Sequence, residues 1–122
     1  MQQLINLPLV ADTGGVSENL LVKISAGKKA ATATASTAAI IGVALYNAAA
    51  GQTATVQIAG VARVKLGGTV TAGDPITSDA SGQGVTAAPG AGVNAYVVGF
   101  ALESGVSGDL IDVTVTPGRI QG

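Results

Sequence analysis

The chain contains neither histidine nor cysteine in its 122 residues. That removes the usual metal ligands, the commonest general base, thiolate nucleophiles and disulfides together. Aromatic side chains number three: Phe100, Tyr46 and Tyr96. With alanine and valine as the main apolar filler, each buried position contributes little area, so a thin core is expected. Charge is also scarce. Six Lys and Arg against seven Asp and Glu give a net charge of -1, which supplies no electrostatic footprint for phosphate backbones or anionic lipid. No nucleic-acid or membrane partner is expected. The first residues carry no basic region, and no run approaches the roughly 18 apolar residues of a membrane span. They therefore read as belonging to an unexported, non-membrane protein.

Glycine is abundant, at 18 residues, and it is scattered between runs rich in Val, Thr and Ile. That pattern predicts many turns and many short strands in one domain. A domain this small with small core residues has a modest margin over chain entropy, so association with a partner or another copy is expected.

Residues 1–19 mix Leu4, Ile5, Leu7, Leu9 and Val10 with Pro8 and the turn former Asp12-Thr13-Gly14-Gly15. They read as an extended N-terminal arm, or alternatively as a first strand tucked onto the main sheet. Residues 20–122 read as a single domain. Residues 20–25 alternate as a half-buried strand, with Leu20, Val22 and Ile24 on one face, and Gly27-Lys28-Lys29 follows as a charged turn. Residues 30–39 fit a weak strand or a low-complexity connection better than a helix, since Thr recurs and no capping box appears. Residues 40–46 and 54–58 look like a hairpin. Gly60 then starts a strand over 61–66, with Ala62, Val64 and Leu66 facing in and Arg63 and Lys65 facing out. A short strand at 76–78 and a final hairpin from 96–103 and 109–116 complete the pattern.

Residues 40–58 (IIGVALYNAAAGQTATVQI) align with residues 97–115 (VVGFALESGVSGDLIDVTV) at a constant offset of 57. Gly42/Gly99, Ala44/Ala101, Leu45/Leu102, Gly51/Gly108 and Val56/Val113 are identical pairs. The same β-hairpin is used twice. Repeated hairpins of short antiparallel strands suit an all-β fold, a small β-barrel or a compact β-sandwich.

Chemistry is sparse along this chain. Asp109 and Asp112 stand three apart, which in a strand places them on opposite faces, so they make no catalytic pair. Asp74, Ser78, Asp79, Ser81 and Gly82 match no calcium-loop spacing and read as β-turns. The glycine-rich stretches precede no helix and carry no phosphate-loop lysine. No base stands ready to activate a hydroxyl. No catalytic, cofactor-binding or metal residue is assigned, and no cofactor is expected.

Several segments carry a family resemblance: Gly42-Val43-Ala44-Leu45, Ala50-Gly51-Gln52, Val56-Gln57-Ile58-Ala59-Gly60-Val61-Ala62, Thr71-Ala72-Gly73-Asp74-Pro75-Ile76-Thr77-Ser78-Asp79 and Val98-Gly99-Phe100-Ala101-Leu102-Glu103. Together they resemble the capsid cement, or head decoration, proteins of tailed bacteriophages. The resemblance covers roughly residues 40–118. It implies a small all-β structural protein that trimerises on the outer surface of an expanded head and clamps neighbouring major capsid proteins. The implied partners are the major capsid protein and further copies of the chain, and the implied location is the virion surface, after synthesis in the host cytoplasm. In this reading the arm residues Leu4, Ile5, Leu7, Pro8, Leu9 and Val10 contact the capsid, adding an extended segment to a capsid-protein element. A carbohydrate- or receptor-binding β module of a phage tail or fibre is the competing reading. It lacks an aromatic platform for sugars. A carboxylate hydrolase would need two acids across a cleft.

Overall fold

In a computed structural model, which describes residues 5–121, the chain forms strands and turns. The strands are β1 (Ile5–Ala11), β2 (Leu21–Ser25), β3 (Lys29–Thr32), β4 (Ile40–Ala44), β5 (Thr53–Lys65), β6 (Pro75–Ser78), β7 (Gly84–Thr86), β8 (Asn94–Val97), β9 (Gly99–Phe100), β10 (Leu110–Val115) and β11 (Gly118–Gln121). Their brevity follows from the glycine spacing, since each turn needs a residue tolerant of unusual backbone angles.

Five strands close a barrel in the order β1-β3-β2-β4-β5, with β5 returning to β1. All its pairings are antiparallel except the short β1–β3 contact at Val10–Lys29 and Ala11–Ala30. The segment read as an arm is therefore, from Ile5 to Ala11, a wall strand of this barrel. Its alternate apolar residues gain burial and ladder bonds against the first half of β5, which an arm reaching into solvent would forgo. Gly60 does not divide two strands either. β5 runs through it for 13 residues.

The second half of β5 opens a second barrel. Here β5 pairs with β10, and β9 pairs with β6 and β6 with β7. Single bridges at Ala101–Val113 and Leu66–Gly84 close the ring. The repeated hairpin seen in the sequence is thus one part of a longer duplication, to which the β8–β11 pair is an addition. The β4–β5 pair Ala44–Val56 recurs as Ala101–Val113. The β2–β3 pairs Val22–Thr32, Lys23–Ala31 and Ile24–Ala30 recur as Ile76–Thr86, Thr77–Val85 and Ser78–Gly84. The β1–β5 pairs Leu9–Ala54 and Val10–Thr53 recur as Val64–Ile111 and Lys65–Leu110. Even the bridge Val16–Ala48 returns as Val70–Gly105.

Gly42 and Gly99 show why the hairpins share a glycine. A Cβ on either would collide with a carbonyl of the paired strand, Gln57 for Gly42 and Thr114 for Gly99. The strands cross too closely there for any side chain.

Two cores result. The first barrel buries Ala11, Val16, Val22, Ala30, Ala44, Ala48, Ala54 and Val56. At matching places the second buries Leu66, Val70, Ile76, Ala101, Ile111 and Val113, with Gly84 and Gly105 standing for Ala30 and Ala48. Larger residues replace Ala11, Val22 and Ala54, and glycine replaces two alanines beside them, which makes room for part of the added bulk. A Cβ on Gly105 would stand 2.9 Å from both Ile111 Cγ2 and Leu66 Cδ1. Leu21, Ala33, Ile40 and Val43 join the second core from the first barrel, fusing the two units. β2 is accordingly buried on both faces at Leu21 and Val22, while Ile24 is exposed. Simple alternation from Leu20 did not foresee this.

Candidate functional site

Leu4 lies outside the described residues, as does the side chain of Ile5, whose backbone in β1 pairs with Ala59 of β5. Leu9 packs against the first barrel's core. Leu7 shares its face but lies at the barrel end and is 37% exposed. Pro8 and Val10 point outward and are exposed. The sequence-chosen residues are therefore split between two faces of one strand.

The backbone of β1 explains where Pro8 can sit. Ala11 donates its N–H to the Gln52 carbonyl on the β5 side, whereas Asp12 donates to Ala30 on the β3 side. By alternation, Pro8 directs its missing N–H away from β5. Proline is tolerated there because that edge lies beyond the start of β3 and has no ladder bond to lose.

A second apolar surface lies on the second barrel's outer hairpin. Phe100, Leu102, Val106 and Leu110 are all exposed, Phe100 at 46%. Phe100 and Leu102 extend from one strand line, Leu110 from its partner, and Val106 from the turn between them. Arg63, Lys65, Glu103 and Asp112 border them; Arg63 Nε lies 3.7 Å from Asp112 Oδ1, an exposed pair of little energetic weight. The signal for this surface was present in the repeat. At equivalent positions the first copy has Val43, Leu45, Ala49 and Thr53, so the second copy has gained apolar bulk at three of four places. Reading the repeat for identity instead of difference missed it.

Four of the acidic residues serve turns. Asp79 Oδ1 accepts the N–H groups of Ser81 and Gln83, and Asp74 Oδ2 accepts the backbone N–H of Thr71 and the hydroxyl O–H of Thr86. Asp109 accepts the Val106 N–H. Asp12 accepts the Ser25 hydroxyl and the Thr13 N–H. These bonds, the Ser25 one foremost, with Lys29 and Lys23 nearby, hold its carboxyl below the usual range against a small opposing effect of burial. Among the described residues no three Asp or Glu side chains gather into a metal-sized group, and no cavity opens. What this molecule offers to a partner is surface.

Comparison with known proteins bears on that surface. The family model described as phage cement protein matches residues 1–117. No curated protein matches the sequence. Among solved structures, the crystal structure of the head fiber gp8.5 N base in bacteriophage phi29 is similar, with a TM-score of 0.69 at 19% identity, over 98% of this chain and 100% of that one. At that identity the likeness is one of fold.

Proposed function

Because the chain belongs to the phage cement protein family, we propose that it decorates the outside of a phage capsid and stabilises the expanded head by clamping neighbouring major capsid proteins. The family is one of structural phage proteins, and the role proposed is mechanical, with no reaction catalysed. The family match over residues 1–117 carries this reading.

In it the protein works as a homotrimer on the virion surface. Two separate apolar surfaces suit the two kinds of contact a trimeric clamp needs. The N-terminal segment, with Leu4, Ile5, Leu7, Pro8, Leu9 and Val10, contacts the major capsid protein; Pro8 and Val10 present the outer side of β1, Leu7 is exposed at the barrel end, and Leu9 anchors the strand from within. The hairpin surface of Phe100, Leu102, Val106 and Leu110 faces a neighbouring copy. Three linked contacts of modest strength give a trimer avidity that one chain lacks.

The test is a binding assay on phage heads that lack the protein. Purified chain is mixed with expanded heads, the heads are recovered by sedimentation, and their resistance to heat is compared with that of bare heads. Saturable binding with raised resistance is the expected result. A chain that binds no head form, yet binds cells or glycans, would replace this reading with a tail or fibre module.

A further inference from the structure

The two barrels meet through a contact whose parts each occur twice in the chain, and only one set makes the contact. In the used contact the β6–β7 turn of the second barrel rests on the first. The Leu21 N–H donates to the Gly82 carbonyl at 2.8 Å. Gly82 lies so close to Thr32 Cγ2, the Ala33 carbonyl and Leu20 Cβ that no side chain fits there. Leu21, Ala33 and Val43 form the buried accepting face.

The duplication assigns an equivalent to every part. Leu21 corresponds to Pro75, Ala33 to Ala87 and Val43 to Phe100, while Gly82 corresponds to Lys28. Neither equivalent carries a barrel-to-barrel contact inside the chain. Phe100 is exposed, and so is Lys28, while Pro75 is half-buried and Ala87 is buried at the floor of the face. Each free part differs from its used counterpart where it matters most. Pro75 has no N–H to offer an incoming carbonyl. Lys28 holds the same left-handed backbone as Gly82, with φ of 60° against 79°, but puts a long charged side chain where only hydrogen fits.

We propose that the barrel-to-barrel contact is a docking mode that fits a second copy of this chain head to tail, and that Pro75 and Lys28 block it. The accepting face on the second barrel is the site, and the β2–β3 turn of another copy is its occupant. A head-to-tail contact of this kind leaves an unused part at each end and so propagates, into a ring where its rotation closes and into a fibre where it does not. A block at both free ends keeps the chain at two barrels and leaves its surfaces to other partners. The inference stands on the duplication and does not require the capsid role.

The test uses full-length chains. Lys28→Gly frees the offering turn, and Pro75→Leu frees the accepting face. Sedimentation velocity is run from micromolar to millimolar concentration on each, on their equimolar mixture and on the double variant, with circular dichroism confirming the fold. Pro75→Ala, which also restores the N–H, replaces the leucine variant should that one unfold. Each single variant should keep the wild-type mass. The mixture should form an adduct of the next size, at least tenfold tighter than any wild-type self-association. The double variant should form a series that lengthens with concentration. Adding Phe100→Asp to the Pro75→Leu chain should abolish the adduct. Folded variants that keep the wild-type mass in mixture and double variant alike would overturn the proposal, as would an adduct indifferent to Phe100→Asp.

Discussion

The volume exchange between the two cores predicts a specific non-additivity. Ile111 is 2% exposed and stands where the first barrel has Ala54; Gly105 stands where it has Ala48. Ile111→Ala alone removes three buried carbons, about 2.4 kcal/mol of transfer free energy at ~0.8 kcal/mol per carbon, and leaves a cavity, for a total loss of about 3.5 kcal/mol. Gly105→Ala alone drives a methyl to 2.9 Å from Ile111 Cγ2 and Leu66 Cδ1, an overpacking that costs about 1.5 kcal/mol. In the double variant the new methyl enters space that Ile111 Cγ2 has left, the remaining space lets Leu66 Cδ1 move away from it, and positions 105 and 111 become the Ala–Ala pair of the first barrel. The pair should then cost about 3 kcal/mol against a sum of about 5, a coupling near 2 kcal/mol. The assay is urea unfolding followed by far-ultraviolet circular dichroism, at one fixed protein concentration because assembly shifts apparent stability. Single-variant losses that add to within about 0.5 kcal/mol would show that the two sites do not share one space, and the reasoning from repeat equivalence would fail.

Other expectations follow from single residues. Lys28→Gly removes a left-handed non-glycine backbone and should raise stability by about 0.5–1 kcal/mol, net of the added freedom of the unfolded chain, read as a higher urea midpoint. The depressed Asp12 carboxyl contributes stability that is fully present above its unfolded value and is lost as pH falls through its lower folded value. Asp12→Asn should therefore flatten the acid limb of a stability-against-pH curve while leaving its slope near neutrality unchanged. Val106→Ser and Leu110→Ser remove exposed apolar groups and should leave the urea midpoint within about 0.5 kcal/mol of wild type. On the proposed trimer they should shift the sedimentation profile toward monomer.

The repeat was legible in the sequence only where its offset stayed constant. The β4–β5 and β9–β10 hairpins keep a spacing of 57 and share Gly42/Gly99, because the close strand crossing admits nothing else. Upstream the spacing is 54 between β2 and β6, and 55 between β1 and the second half of β5. Gly14 is an extra residue in the first copy, and three extra residues precede β8 in the second, so a fixed-offset comparison loses the match. Core exchange blurs it further, since Ala11/Leu66 and Ala30/Gly84 keep a place in the fold without keeping a residue type. The docking of the N-terminal segment was one of two readings left open by the sequence, for a different reason. Residues 1–19 show no clean strand periodicity, and Pro8 argues against a ladder unless its edge is free. The hairpin surface at Phe100 was hidden by its pattern, because a strand with one apolar face to each side reads as a buried one.

The thin core read from composition has its physical answer in the duplication. A single barrel of some 55 residues filled with alanine and valine sits where one core is marginal, since a domain of about 60 residues buries only about 60% of its unfolded surface. Here the first barrel gains a second buried face through Leu21 and Val43, both under 2% exposed, and β5 carries a continuous ladder from one barrel into the other. Neither half then has an independent margin, and the chain should unfold as one unit. Val43→Asp places a charge in the seam without touching the first barrel's own core. If the seam is what lifts both halves above marginal stability, this change should cost about 3 kcal/mol or more and expose the amides of β4 and β9 to hydrogen exchange together. Exchange that quickens in β4 while β9 keeps its wild-type protection would mean that the barrels are stable one by one, and that the shared strand joins them without making them cooperative.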